Sequence, residues 1–234
     1  MISLRPSGAR GHTRLAWLDS RHSFSFGDYY EPGQMGVSNL RVINEDRIAP
    51  GGGFPTHGHQ DMEIVTFVLA GALQHQDSMG NGSVIRPGDV QHMSAGTGVR
   101  HSEHNADLSA PTHLLQIWLT PNRMGVPPQY HQRHFTTEER HGRLALLVSP
   151  DGREGSIPTH QDALLYAALL SAGAAVTYQP AVGRAAYVHL ALGKALVNGH
   201  ALEAGDGLHL TAPTTVRISG SGPDEAQVLL FDLP

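Results

Sequence analysis

Short apolar runs, rather than helical stripes, organise this chain. Residues 62–70 read MEIVTFVLA, 113–119 read HLLQIWL and 144–148 read LALLV. Further on come ALLYAALL at 163–170, AAYVHLAL at 185–192, TTVRI at 214–218 and AQVLLF at 226–231. Runs of this length, rich in branched side chains, predict buried strands. Turn formers stand between them: PGGG at 50–53, MGNG at 79–82, RPGD at 86–89 and NGH at 198–200;. Helical periodicity is weak. Thr136–Arg140 fits one short turn, and the Ala-rich stretch at 163–175 is where helix competes most with strand. Many strands joined by tight turns predict an all-β sandwich or barrel.

The strands fall into two sets. Pro121–Pro128, PNRMGVPP, interrupts the pattern and reads as a linker, which predicts domains at 1–125 and 126–234;. The two parts share a frame. Gly71-Ala-Leu, a turn, Gly88-Asp89 and then His92 recur as Gly193-Lys-Ala-Leu, the turn at Asn198-Gly199, Gly205-Asp206 and then His209. Such recurrence predicts a duplicated barrel.

Composition narrows the function. Of 234 residues, 16 are basic and 21 acidic, for a formal charge of -5. With no Lys/Arg run, the chain lacks the basic face that releases counterions from nucleic acid. The apolar runs are too short to span a membrane. There is no cysteine, which excludes disulfides and thiolate metal sites;. No apolar core of signal-peptide length follows Met1, so the cytoplasm is the expected compartment;. No nucleophilic triad, phosphate loop or dinucleotide fingerprint is present.

Histidine is the unusual residue, with 16 copies. Abundance does not make a site, but spacing does. In a strand, residues i and i+2 project to one face. His57 and His59 in Thr56-His57-Gly58-His59 therefore point together, and so do His101 and Glu103 in His101-Ser102-Glu103. The second pair follows the glycine-rich turn Ala95-Gly96-Thr97-Gly98. If neighbouring strands join the pairs, three imidazoles and a carboxylate converge, a donor set for first-row divalent metals. Arg100 projects to the opposite face, and Asp61 faces inward only if no turn intervenes. His22, Phe24 and Phe26 alternate with polar residues, as in a half-buried strand rather than a substrate wall.

At these motifs the chain resembles the pirin family of bicupins. The resemblance runs through RHSFSFGDYYEPGQMGVSNLRVINEDRIAPGGG at 21–53, GGGFPTHGHQDMEIVTFVLAGALQHQDSMGNG at 51–82, GDVQHMSAGTGVRHSEHN at 88–105 and SPDGREGSIP at 149–158. The general cupin pattern is visible in Gly51-x5-His57-x-His59-x3-Glu63 and in Gly98-x2-His101-x3-Asn105, with Gly96 where a proline is usual. The resemblance implies two tandem cupin (jelly-roll) barrels. It also implies one metal ion held by His57, His59, His101 and Glu103 in the first of them. Ordinary cupins use the carboxylate at the Glu63 position, whereas the pirin pattern favours Glu103. That leaves Glu63 for the solvent or for a hydrogen bond to a ligand histidine. Aligning the repeats puts Gln179 and Ala181 at the places of His57 and His59, and Ile218 at that of His101. The second barrel is thus expected to be degenerate and metal-free. His92 and His209, matched in both repeats, are expected to be structural.

The resemblance further implies Fe(II), although Ni, Mn, Co, Cu and Zn also suit these donors. The implied activity is a quercetin 2,3-dioxygenase-like opening of flavonols with O2 and release of CO. Glu103 would be the catalytic base, and the partners an aromatic flavonol-like small molecule and O2. Two other functions stay open: a redox-responsive regulator acting through a protein partner, and another small-molecule cupin reaction. A monomer is expected, since a bicupin buries between its halves what single cupins bury by dimerising.

Overall fold

A computed structural model describes residues 1–234, and the chain is almost entirely β. Each half contributes a seven-stranded and a four-stranded sheet, which gives two tandem jelly-roll barrels. The predicted runs appear as Glu63–Ala70, Thr112–Leu119, Ala145–Ser149, Leu164–Leu170, Ala185–Leu192, Val216–Gly220 and Ala226–Leu233. Strand wins over helix in the Ala-rich stretch because both faces of Leu164–Leu170 are covered, leaving no polar face for a helix to present. The one short α-helix, Thr137–Arg140, is held by a capping box between Thr136 and Glu139;.

The shared frame is real in three dimensions. Gly71 has φ +77°, and a Cβ there would lie 3.0 Å from Pro111 O, at the start of strand Thr112–Leu119. Gly193 has φ +78° and would meet Glu225 O at 2.7 Å, at the start of strand Ala226–Leu233. Both glycines make the same left-handed turn against the same kind of neighbour, which a side chain would obstruct.

The sheets do not divide the chain at residue 125. Ile2–Arg5 pairs with Gly207–Leu210 in the second barrel. Gln129–His134, beyond the expected linker, pairs with Asp89–Ser94 in the first. Nor does the stretch from 121 to 128 hang free: Thr97 N–H donates to Val126 O at 2.9 Å.

The cores explain why only one barrel is hollow. The outer faces of the two large sheets pack together through 22 buried apolar residues, including Phe67, Phe135, Leu165 and Phe231. Sixteen more, among them Val176, Ala195, Val197 and Ile218, fill the inside of the second barrel. Inside the first barrel the apolar residues split into a group of six around Leu73 and Ile85 and a group of four around Ile64 and Met93. Polar side chains occupy the space between them.

Candidate metal centre

The first barrel's polar interior is built by register. On the seven-stranded sheet, His22 pairs with Asn44, Asn44 with Gln116, Gln116 with Thr66, and Thr66 with Gln91. Paired residues on adjacent strands share a face, so these five side chains form one row across the sheet. The facing sheet brings the histidines. Val99–Asn105 pairs antiparallel with Gly53–His59, with His101 opposite His57 and Val99 opposite His59. Gly96, in the turn before Val99, has φ +45°, and a Cβ there would lie 2.0 Å from Val126 O. Only glycine lets the 121–128 segment close over that turn.

His57, His59 and His101 come together, with their ligand nitrogens all within 4.8 Å of one another. His57 Nδ1 donates to Pro55 O at 2.9 Å, which leaves the Nε2 lone pair facing His101 Nε2 at 3.0 Å. His59 packs edge-on against Trp118, with ring centroids 5.0 Å apart. Burial, reinforced by the neighbouring imidazoles, depresses the pKa of His59 to about 4 and that of His101 to about 2. Both rings are therefore neutral near pH 7, the state that coordinates a cation. Three imidazole nitrogens aimed at one space fit a divalent ion;.

Glu103 is buried below them. Its carboxylate accepts from Gln116 Nε2 at 2.8 and 2.9 Å and from Thr66 Oγ1 at 3.5 Å. Burial, with a contribution from the charge of Asp46, raises its pKa to about 7. Its ligand oxygen groups with His101 and with a residue absent from the sequence reading, His75, rather than directly with His57 and His59. The signal for His75 was present in Leu73-Gln-His-Gln-Asp77, a strand whose His and Asp share one face. Burial also lowers the pKa of His75.

Glu63 lies elsewhere. It is 1% exposed and accepts from His92 Nε2 at 2.9 Å, Ser94 Oγ at 2.6 Å, Thr159 Oγ1 at 2.8 Å and His160 N–H at 3.1 Å. It bonds to no ligand histidine and ties the two halves together instead. That bond also gives His92 a structural role. His209 sits half-buried on the Gly207–Leu210 strand, in the other barrel. Asp61 takes φ +48° in a turn and accepts from Gly125 N–H, so it leaves the interior.

A cavity of about 450 Å³ opens beside the three histidines. Leu18, Phe26, Phe54, Ile64 and Trp118 are its apolar walls, and Glu103 and Gln116 also line it. Thr13, Ser20, His22, Asn44 and Asp46, from the strands at one edge of the large sheet, add a polar region. His22 and Phe26 thus line this cavity, which corrects the half-buried strand expected there; only Phe24 joins the inter-barrel core. Burial raises Asp46 to about 7, against the hydrogen bond donated by Ser20.

The sequence matches the Pirin family over residues 4–119 and the quercetinase C-terminal cupin domain over residues 146–233. The chain belongs to the pirin family. Over its full length this pirin is 45% identical to a quercetin 2,3-dioxygenase of Escherichia coli K12, covering 99% of that protein. It is also 38% identical over 233 residues to a pirin-like protein of Caulobacter vibrioides, with 99% of each chain covered. A solved bacterial pirin from E. coli, YhhW in complex with nickel(II), superposes with a TM-score of 0.94 at 44% identity, covering 100% of this pirin and 99% of that chain.

Proposed function

We propose that this pirin is a metal-dependent dioxygenase that opens flavonol-like aromatic substrates with O2 and releases one ring carbon as CO. The observation that carries the reading is the cavity: His57, His59 and His101 stand at the wall of an apolar hollow that also holds a buried carboxyl. His57, His59, His101 and Glu103 would hold one divalent ion, and Fe(II) is our choice among the metals these donors suit. Nickel in the E. coli relative supports a divalent ion. When bound, the ion supplies Lewis acidity that lowers the pKa of a hydroxyl presented to it.

The chain's own groups do the rest. A volume of about 450 Å³ lies within the roughly 300–1,000 Å³ of small-molecule sites;. Phe26, Phe54 and Trp118 offer faces and edges to a flat ring system and exclude water from it. Asp46, Asn44 and Ser20 offer partners to ring hydroxyls. Glu103 takes the substrate hydroxyl proton on a carboxylate oxygen, with Gln116 and Thr66 holding that carboxylate in place. A cation in the histidine cluster favours the ionised, proton-accepting form of Glu103. An open apolar cavity favours this reading over a regulator with a closed metal site.

The test is protein reconstituted separately with Fe(II), Ni(II), Mn(II) and Co(II), with metal content measured. At least one form should consume quercetin and O2 and yield CO in the head space. His57→Ala and His101→Ala should lose both metal and turnover, and Glu103→Ala should lose turnover. One equivalent of bound metal with no turnover in any form would refute the enzymatic reading. Equal metal content in wild type and His101→Ala would refute the ligand set.

A further inference from the structure

His75 stands directly against the histidine cluster but has no part in the function proposed above. It lies opposite Glu103 on the adjoining strand Leu73–Asp77, and its side chain and that of Asp77 are both fully buried. Its Nε2 is 3.3 Å from Asp77 Oδ2. Its Nδ1 is 3.3 Å from Gln91 Nε2 and 3.5 Å from His101 Nδ1. The Tyr130 ring lies over it at 5.2 Å between centroids, tilted by 30°, which limits its rotation.

Followed inward from Asp77, the donors and acceptors along this chain point to one arrangement. The Asp77 carboxylate only accepts, and it already takes N–H groups from Met79 and Asn81. Its contact with His75 therefore requires a proton on His75 Nε2. A neutral imidazole protonated there presents a lone pair at Nδ1. The Gln91 amide, a donor, points at that lone pair and agrees with it. His101 Nδ1 faces the same lone pair at 3.5 Å, and a proton on it joins the two rings. His101 Nε2 is then bare and turned toward His57 Nε2, 3.0 Å away. Without this constraint, the His101 proton could sit on Nε2 and bridge to His57, where an incoming cation would have to displace it.

We propose that Asp77 and His75 are positioning residues that fix the tautomer of His101, keeping its Nε2 lone pair free for the metal. The inference rests on His101 being a ligand, as proposed above. The pair acts through His101 and touches neither metal nor substrate. Outer hydrogen bonds of this kind typically change metal affinity about 10–100-fold when lost.

The test uses full-length wild type, Asp77→Asn, His75→Phe and His75→Gln, with nickel(II) alone as the probe. Asp77→Asn reverses the chain at nearly constant shape. The new amide donates to His75 Nε2, the His75 proton moves to Nδ1, and His101 is driven to protonate at Nε2. Nickel affinity by calorimetry should fall about 10–100-fold in Asp77→Asn and His75→Phe. In His75→Gln the side-chain amide donates to Asp77 while its oxygen accepts from His101, so most of the affinity should return. Long-range ¹H–¹⁵N spectra of the metal-free proteins read the tautomer directly: His101 should be Nδ1–H in wild type and Nε2–H in Asp77→Asn. Wild-type affinity in both Asp77→Asn and His75→Phe overturns the proposal, and so does an Nε2–H His101 in the wild type. The wild-type spectrum decides even if a variant fails to fold. A wild type that binds no nickel, iron, cobalt or manganese refutes the metal site itself, and the tautomer measurement still reports on His75 separately.

Discussion

Glu63→Gln separates a carboxylate that binds metal from one that binds the protein together. Glu63 sits where ordinary cupins keep their ligand, yet four donors from both halves surround it. Burial alone would raise its pKa; the hydrogen bonds from His92, Ser94 and the His160 N–H bring it down to about 2 instead. The drop from the ordinary 4.5, at about 1.4 kcal/mol per pH unit, corresponds to roughly 3 kcal/mol of folding stability near pH 7. The sign follows from the depressed value: the contribution is complete above pH 4.5 and disappears as pH falls toward 2. Glutamine keeps the shape but removes the charge, and it turns an N–H₂ toward hydrogen-bond donors. The loss should be about 3 kcal/mol, or roughly 6–12 °C in Tm for a chain of this size. Thermal and urea unfolding of both proteins at pH 7 and pH 4 measure it, and the difference should shrink at the lower pH. Nickel stoichiometry on the folded variant should stay at the wild-type value. A stability change below about 0.5 kcal/mol, the usual scale of an uninvolved surface site, would refute the buttress. A well-folded variant that no longer binds metal would show that the wrong carboxylate was assigned to the centre.

Other expectations can be checked on the same protein. His189 is wholly buried with no partner for either ring nitrogen, so His189→Leu should stabilise the fold by about 1–3 kcal/mol; a lower urea midpoint would contradict this;. Acid should weaken the metal-free protein. Burial depresses His59, His101 and His189 (the last to about 3), which costs stability as pH falls below 6.5, while Glu103 and Asp46, raised to about 7, return part of it. Asp46 takes up about one proton on folding in this range, so Asp46→Asn should steepen the loss of stability between pH 6 and 5 by roughly 1.4 kcal/mol per pH unit; an unchanged slope counts against Asp46 being protonated;. Phe26→Ala should leave metal content intact but raise KM for quercetin severalfold, by removing one wall of the cavity; an unchanged KM would place the substrate elsewhere.

What could be read along the chain was what repeats locally. Two-residue alternation placed His57 with His59 and His101 with Glu103, because a strand sends every second side chain to one face whatever surrounds it. The glycines at 71 and 193 betrayed the duplication, since a left-handed turn leaves its mark on the residue itself. What no local pattern held was the pairing between strands. The row from His22 through Asn44, Gln116 and Thr66 to Gln91 draws on five separate strands, and a slip of one residue in any of them would turn its member away from the hollow;. His75 meets His101 for the same reason, and Glu63 finds Thr159 and His160 only because the second barrel docks there. Even the membership of the barrels escaped the linear reading, because Ile2–Arg5 and Gln129–His134 each pair with a sheet of the opposite half, a choice made by backbone hydrogen bonds between distant segments rather than by the composition of either strand.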